Sequence, residues 1–373
     1  MFISKKTSTS ISWTQFVCSL IVILDHCFDY INYAEKEKEI FENSVYFFTK
    51  SSITGLTFIA MSLFFFFSSL LLYKDWNEKI SIQDWYHKKI KSRFKSIFIP
   101  YLLWNLIWTI AFLIVGFLDN SSFTNITQQP TIIDFIDGII FAKYNEVFWF
   151  MKVLIIYIII SPLIGFLISK FKVLILTLCF FLSVIPGLFI GELSLINNFH
   201  NIIFWILGAY ISIHMPVYKE FCYSHVHTII NSKKVFSIFF VIIAIPAIGV
   251  AHQALFNENI SVIKTVLLNS FVLLLSISGS IGLFNLIKLY FSEKKVLWFV
   301  KTSFLIYSMH KPIEQFYNKL IAKLFEPSLL SYFLNLFGSL LFTLSMILTI
   351  IKIMNKLCPK LLHILNGGRI IFD

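Results

Sequence analysis

The amino-acid sequence predicts an all-α, polytopic integral membrane protein with about ten transmembrane helices and both termini in the cytoplasm. Of the 373 residues, 57% are hydrophobic and only 14% are charged, whereas charged residues make up about 25% of a soluble globular chain. Apolar stretches of roughly 20 residues recur along the chain, which is long enough for a helix to cross the hydrocarbon layer. A transmembrane barrel would instead show alternating segments of about 10 residues.

Hydropathy places the predicted spans at approximately 11–33, 53–73, 96–117, 148–168, 171–190, 199–215, 234–252, 261–284, 296–313 and 330–354. Residues 1–373 are expected to form a single transmembrane domain, with no appended soluble domain and no cleavable signal peptide. The loop after the third span contains IIDFIDGII, an amphipathic stretch expected to lie on the membrane surface.

The distribution of basic residues predicts the orientation of these spans. With the N-terminus inside, 22 of the 31 lysines and arginines fall on inner segments and 8 on outer segments, which favours both termini inside. The net charge of +11 is therefore expected to face membrane lipids or an anionic cytosolic ligand. Nucleic acid is not expected as a partner. The five cysteines are scattered without a CxxC pair, so no metal site is predicted.

The first span, QFVCSLIVILDH, ends in ionisable residues, which are costly inside a membrane and often functional. At about 100° per residue, Gln15, Ser19, His26 and Asp29 share one face of a helix. Asp29 is placed to accept a hydrogen bond from the His26 imidazole, an arrangement that suits a general base. The alternative is that His26 only hydrogen-bonds to another helix.

A basic run, DWYHKKIKSRFKSIFIPYLLW, leads into the third span. Its structural interpretation is a helix whose lysines extend to the headgroups of the inner leaflet. Its functional interpretation is a phosphate clamp facing the cytosol, since arginine presents a planar fork and lysine a point charge to phosphate oxygens. The candidate residues are Arg93, Lys89 and Lys91.

Polar residues also lie inside two other predicted spans. Lys152 follows Glu146 and Trp149 at steps of three; an aromatic belt explains the tryptophan, but the lysine needs a partner or a water-filled cavity. Tyr307 and His310, in IYSMHKP, share one side of the ninth span. His310 is interpreted in one of two ways. It belongs to the aromatic belt at the membrane surface, with its polar end in water, or it is part of a functional path.

Together these stretches resemble the membrane-bound acyltransferase 3 family, especially the branch that modifies exopolysaccharides and other cell-surface polymers. The resemblance follows the chain order through LIVILDH, LFFFFSSLLL, KSRFKSIFIPYLLW, FWF and IYSMHKP. It implies a multi-pass O-acyltransferase of the cell (inner or plasma) membrane. Such an enzyme moves an acyl group, acetyl foremost, from acyl-CoA to a hydroxyl of a cell-surface glycan or lipid-linked saccharide, with no bound cofactor or metal.

Under this resemblance His26 is the catalytic base, oriented by Asp29, while Arg93 with Lys89 and Lys91 holds the phosphates of acyl-CoA. The expected substrate path is lined by Gln15, Lys152, Tyr307 and His310, with Lys152 paired to Asp25 or Asp29.

Gln15 stands where the family pattern has an arginine, eleven residues before His26. Glutamine donates hydrogen bonds but carries no charge, which leaves a catalytically inactive relative as one alternative function. A transporter or flippase of lipid-linked sugars, with its intramembrane charges lining the path, is the other. The sequence also leaves open whether the acyl group passes directly to the acceptor or through an acyl-enzyme.

Overall fold

A computed structural model describes residues 4–27, 40–76, 81–118, 131–184, 201–214, 230–254, 261–326 and 328–372. Within these ranges the chain is helical between turns and contains no strand, which confirms the all-α prediction. The α-helices in chain order are α1 (Lys5–His26), α2 (Ile40–Leu72), α3 (Ile82–Arg93), α4 (Ile99–Leu118), α5 (Ile132–Ile140), α6 (Trp149–Ile159), α7 (Ser161–Phe171), α8 (Val173–Val184), α9 (Ile202–His214), α10 (Ile230–Ala254), α11 (Val262–Phe291), α12 (Ser303–Leu324), α13 (Leu329–Leu357) and α14 (Pro359–Leu365).

Tighter or wider helical turns connect several of these helices. Short 3₁₀ segments precede or follow α-helices at Tyr73–Asp75, Glu146–Phe148 and Trp298–Thr302. A π-helical turn, Phe94–Phe98, joins α3 to α4 without a break. Turns of this type insert an extra residue into a helix and are frequent near functional sites.

Each predicted span overlaps at least one helix within the ranges that the structure describes. In the described residues, five helices are long and apolar enough to cross a membrane, or six if α6 and α7 form one bent span. Helices α8, α9 and the Ser237–His252 part of α10 are apolar but shorter. The chain is therefore a multi-pass membrane protein, while the number ten and the cytoplasmic location of both termini stay predictions.

The fourth predicted span is broken into α6 and α7, which are bent by 62°. Pro162 is at the start of α7, and because proline has no amide hydrogen it cannot extend the hydrogen bonding of α6. The hydroxyl of Tyr73 donates to the carbonyl of Ser161 at 2.6 Å. A polar backbone group at the bend is thus satisfied from a neighbouring helix, as the interior of a membrane bundle requires.

Helix α2 lies at the centre of the bundle and packs against α1, α9, α10 and α11. Its approach to α10 is close, since a Cβ at Gly55 would collide with the carbonyl of Ile245 and one at Gly249 with the carbonyl of Ser51. Small residues at such contacts let the backbones of membrane helices pack together. Outward-facing apolar residues cover the other sides of α10, α11 and α13, where Ile242, Leu267 and Leu341 are 64%, 64% and 65% exposed.

Gly249→Ala is expected to destabilise the bundle. At an open helical site this change would stabilise by about 1 kcal/mol through helix propensity, but here the methyl group forces α2 and α10 apart at a cost of about 1–3 kcal/mol. Thermal unfolding of the purified chain in detergent measures the effect. Val250→Ala, at the exposed neighbouring position, is the control and should change the melting temperature little. A Gly249→Ala variant more stable than the wild type would contradict the close approach.

Candidate active site

Two histidines from distant parts of the sequence meet inside the bundle. His26 is the last residue of α1 and His310 belongs to α12, and their ring centroids are 5.3 Å apart. The two helices pack together over several turns, and the Ser19 hydroxyl contributes a hydrogen bond of 3.2 Å to the carbonyl of Ser303. The contact confirms that the polar end of the first span faces the ninth, although 284 positions separate the residues.

The hydrogen bonding of His310 determines which of its ring nitrogens carries the proton. Its side chain is fully buried, and Nδ1 lies 2.7 Å from the carbonyl oxygen of Tyr307. A carbonyl only accepts, so Nδ1 of the neutral ring is protonated and Nε2 has the lone pair. Among the described residues Nε2 has no hydrogen-bond partner. A buried nitrogen of this kind is available to take a proton from a substrate.

His26 has the opposite arrangement. The Lys311 ammonium lies 3.1 Å from His26 Nδ1, and an ammonium group donates but cannot accept. The contact therefore favours a neutral ring with its proton on Nε2. Asp29, the expected orienting carboxylate, lies outside the described residues. The pair thus presents an Nε2 lone pair on His310 beside an Nε2–H on His26.

Two stripes of buried polar residues continue from the histidine pair along α12 and α13. Their members recur every four residues, so each stripe occupies one face of its helix. On α12 they are His310, Glu314 and Asn318, and on α13 they are Asn335, Ser339 and Thr343. The Cys27 thiol lies beside Ser339 and Glu314, and Asn335 Nδ2 donates to the Cys27 carbonyl at 3.4 Å. The end of α1 is therefore inserted between the two stripes.

Lys311, Glu314 and the α13 stripe were not among the residues singled out from the sequence. The four-residue spacing of Asn, Ser and Thr in an otherwise apolar helix was a usable signal, because polar residues in a span are commonly held by a neighbouring helix. The spacing alone does not identify that helix.

Gln15 does not contact the histidine pair. Eleven residues of α-helix separate it from His26, or about 16 Å along the axis. Its side chain is half-buried, and its carbonyl accepts from the Ser19 hydroxyl at 2.9 Å. Any effect of the missing family arginine on the His26 ring is therefore indirect.

Two residues expected along the substrate path anchor the segment before α6 instead. Lys152 Nζ donates to the carbonyl of Phe141 at 3.0 Å and not to Asp25, while Asp29, the other expected partner, lies outside the described residues. The hydroxyl of Tyr307 donates to the carbonyl of Val147, and its ring stacks on Phe148 with centroids 5.7 Å apart. Both side chains satisfy backbone carbonyls where the chain turns into α6.

The three basic residues of the predicted phosphate clamp lie in different environments. Lys89 is buried and forms an ion pair of 2.9 Å with Asp75, so its charge is already neutralised. Lys91 is exposed on α3. Arg93 is half-buried at the start of the π-helical turn, and no carboxylate among the described residues pairs with it. Arg93 is therefore the anion-binding candidate of the three.

A partly open cleft of about 470 Å³ adjoins the C-terminal end of α1. Its lining combines ionisable, hydroxyl and aromatic side chains, namely Asp25, Tyr46, Phe47, Lys50, Thr54, Thr57, Phe58 and His252. Hydrogen-bonding groups next to aromatic faces suit a polar organic ligand. Asp25, the residue before His26 in the sequence, is part of this lining.

Comparison with known families agrees with this architecture. A family model described as an acyltransferase domain, that of the acyltransferase 3 family, matches residues 8–352, and the chain belongs to this family. The comparisons with curated proteins and with solved structures found no match. Membership supports an acyltransferase acting in a membrane. The exopolysaccharide-modifying branch stays a prediction.

Tyr307→Phe is expected to destabilise the site region by about 1–3 kcal/mol, because the buried Val147 carbonyl loses its hydrogen-bond donor. Thermal unfolding in detergent is the measurement. Tyr290→Phe, at a position 51% exposed, is the matched control and should leave the melting temperature unchanged. Equal melting temperatures for both variants would show that the Tyr307 hydroxyl does not hold this segment.

Proposed function

We propose that this chain is an O-acyltransferase of the cell (inner or plasma) membrane. It transfers an acyl group, acetyl foremost, from acyl-CoA to a hydroxyl of a cell-surface glycan or a lipid-linked saccharide. The observation that carries the proposal is the buried His310 Nε2 with no described partner, adjacent to His26, in a chain of the acyltransferase 3 family.

The reaction requires one proton acceptor and one hydrogen-bond donor. A sugar hydroxyl attacks the thioester carbonyl, the C–O bond forms, the C–S bond breaks, and the hydroxyl proton passes to the base before reaching the departing CoA thiolate. His310 Nε2 supplies the lone pair for this proton, and a base of this kind contributes about 10²–10⁴-fold. His26 Nε2–H donates to the oxygen on which negative charge develops.

This assignment modifies the expectation that His26 itself is the base. With Lys311 donating to Nδ1 of His26, the ring is held as a donor, whereas His310 is held as an acceptor by the Tyr307 carbonyl. The sequence-based role for His26 requires Lys311 to release that nitrogen.

Direct transfer is favoured over an acyl-enzyme at the neighbouring cysteine. The Cys27 side chain is fully buried, and its thiol donates to the carbonyl of Ile23 at 3.2 Å. A reactive cysteine is normally accessible and held as a thiolate. Neither condition fits Cys27.

The acceptor is proposed to enter through the cleft beside Asp25. Sugar hydroxyls would bond to Asp25 and Lys50, and a sugar face would pack on the Tyr46 ring, within a lining that has both polar and aromatic groups. A lipid-linked acceptor would approach laterally from the bilayer.

Histidine variants test the mechanism. His310→Gln retains a donor for the Tyr307 carbonyl but has no basic nitrogen, so it should lower transfer by about 10²–10⁴-fold. His26→Gln retains a hydrogen-bond donor and should lower it less, while His26→Ala should lower it strongly. The measurement is transfer of radiolabel from acetyl-CoA to glycan in membranes with matched protein levels.

Three outcomes of this experiment are distinct. If His26→Gln lowered acyl transfer more than His310→Gln did, His26 would be the base. Undiminished transfer in His26→Ala and in His310→Gln would overturn the mechanism. Absence of any transfer by the wild type, with acceptor extracts from the native membrane, would overturn the proposed function.

Gln15 favours a second candidate function, that of a relative that binds the donor without transferring it. The distance of Gln15 from the histidine pair opposes this, so the wild type is expected to be active. Gln15→Arg should then change KM for acetyl-CoA with little change in kcat. A variant that is active where the wild type is inactive would establish the second candidate.

A further inference from the structure

The chain folds back on the bundle after α13. Helix α14 ends at Leu365, and two glycines with positive φ, Gly367 at +65° and Gly368 at +77°, reverse its direction. Their amides donate to the carbonyls of Ile364 and His363 at 2.9 and 2.8 Å, the type of closure that ends a helix at glycine. This C-terminal segment, residues 359–372, lies beyond the part of the chain that matches the family model.

Specific contacts hold the C-terminal segment against the rest of the bundle. Trp104 Nε1 donates to the carbonyl of Leu365 at 3.2 Å. Gly367 lies directly on the carbonyl of Ser96, where a Cβ would collide. Phe372 stacks on Trp298 with centroids 5.2 Å apart. Three separate contacts therefore fix the segment: one on the π-helical turn that follows Arg93, one on α4 and one on the 3₁₀ segment before α12.

The docking places a second arginine beside the first. The Arg369 Nη1 donates to the carbonyl of Asn366 at 2.9 Å, and the Asn366 side chain returns a bond of 3.2 Å to the Arg369 carbonyl. The guanidinium lies over the Phe304 ring, 5.2 Å from its centroid. Its remaining N–H groups have no partner among the described residues, and the side chain is open to solvent on one side.

Arg369 lies next to the turn that follows Arg93. A Cβ at Gly367 would collide with the Ser96 carbonyl oxygen of this turn and would lie 2.9 Å from Arg369 Nη1. Partial desolvation lowers the pKa of Arg369 to about 10, and the charge of Arg93 is the second cause. Both groups stay cationic near pH 7. No carboxylate of the described residues pairs with either. Two neighbouring guanidinium groups without a counter-charge, each with forked donors, match the geometry of a phosphate.

We infer that Arg369 and Arg93 together form a phosphate-binding site, and that its ligand is a phosphate group of the acyl donor. The donor assignment rests on the proposed function. Arg369 would then be a donor-binding residue supplied from outside the family-matched region.

The location favours the acyl donor over a lipid headgroup. Phe304, under Arg369, and His310 are on the same helix six residues apart, about 9 Å along its axis. Trp108, one turn from Trp104, donates to the carbonyl of Ser308 at 2.9 Å. The phosphate site and the histidine pair thus both adjoin α12, and the pantetheine arm of a bound CoA would have to extend along this helix from one to the other.

Direct binding of CoA tests the site. The full-length chain is reconstituted in phosphatidylcholine nanodiscs, and the Kd for CoA is measured by calorimetry. Arg369→Gln should raise Kd about tenfold or more through loss of a charge-assisted pair, and Arg369→Lys should raise it less. Lys360→Gln, which removes an exposed charge from α14, is the matched control and should leave Kd unchanged.

A second variant keeps both arginines. Gly367→Ala should push the segment from Ser96 and weaken CoA binding as Arg369→Gln does, while size-exclusion profiles and melting temperatures check that the bundle still folds. A wild-type Kd in Arg369→Gln or in Gly367→Ala would overturn the inference and leave acyl transfer unaffected.

A parallel experiment tests whether the bound phosphate is that of a lipid headgroup. If CoA does not bind, but phosphatidylglycerol in the nanodisc raises the melting temperature of the wild type and not of Arg369→Gln, the phosphate belongs to lipid and the donor assignment is overturned. If CoA binds through Arg369 while no acyl transfer occurs, the site is supported and only the proposed function fails.

Discussion

A polar side chain buried in an apolar bundle costs free energy unless it forms a hydrogen bond or an ion pair. This constraint determines the arrangement of side chains at the centre of the molecule. His310 meets it through the Tyr307 carbonyl and His26 through Lys311. Because each imidazole uses Nδ1 in this way, the two Nε2 atoms are left with opposite hydrogen-bonding character. The chemistry assigned to the pair follows from how the protein satisfies its buried polar groups.

Helix α12 connects the parts of the proposed reaction. Phe304 near its N-terminus supports Arg369, and His310 lies further along the same rigid element. In the proposed reaction, a donor held by its phosphates at one end of α12 would extend its thioester inward to the histidine pair, and no covalent relay would be required.

The helices were predictable because the length of an apolar segment is read directly from consecutive residues. In the part of the chain that the structure describes, each of the ten apolar segments overlaps a helix. The 62° break near Ile160 was missed, because a proline in an apolar run is compatible with either a kink or a turn. His26 and His310 were each singled out for their cost in a membrane. Their contact joins residues 284 positions apart, which no periodicity within one segment reveals.

The partners of the cations were the least predictable feature. Lys89 was grouped with Arg93 by spacing, but a 3₁₀ turn brings Asp75 to it. Lys152 was expected to find a carboxylate and instead meets the end of α5 at the Phe141 carbonyl. Nothing in the sequence distinguishes Arg369, since a lone arginine near a chain end is ordinary. Its neighbours Arg93 and Phe304 come from α3 and α12, so only the tertiary fold defines its environment.

The π-helical turn at Phe94–Phe98 has a consequence for how this region can change in evolution. The wide turn absorbs one surplus residue, so the helices before and after it keep nearly the register of a continuous helix. Loss of a single codon here would restore regular winding and remove the wide turn whose Ser96 carbonyl lies against Gly367. Substitutions at exposed Phe94 and Lys95 would keep the number of residues in the turn and therefore the turn itself.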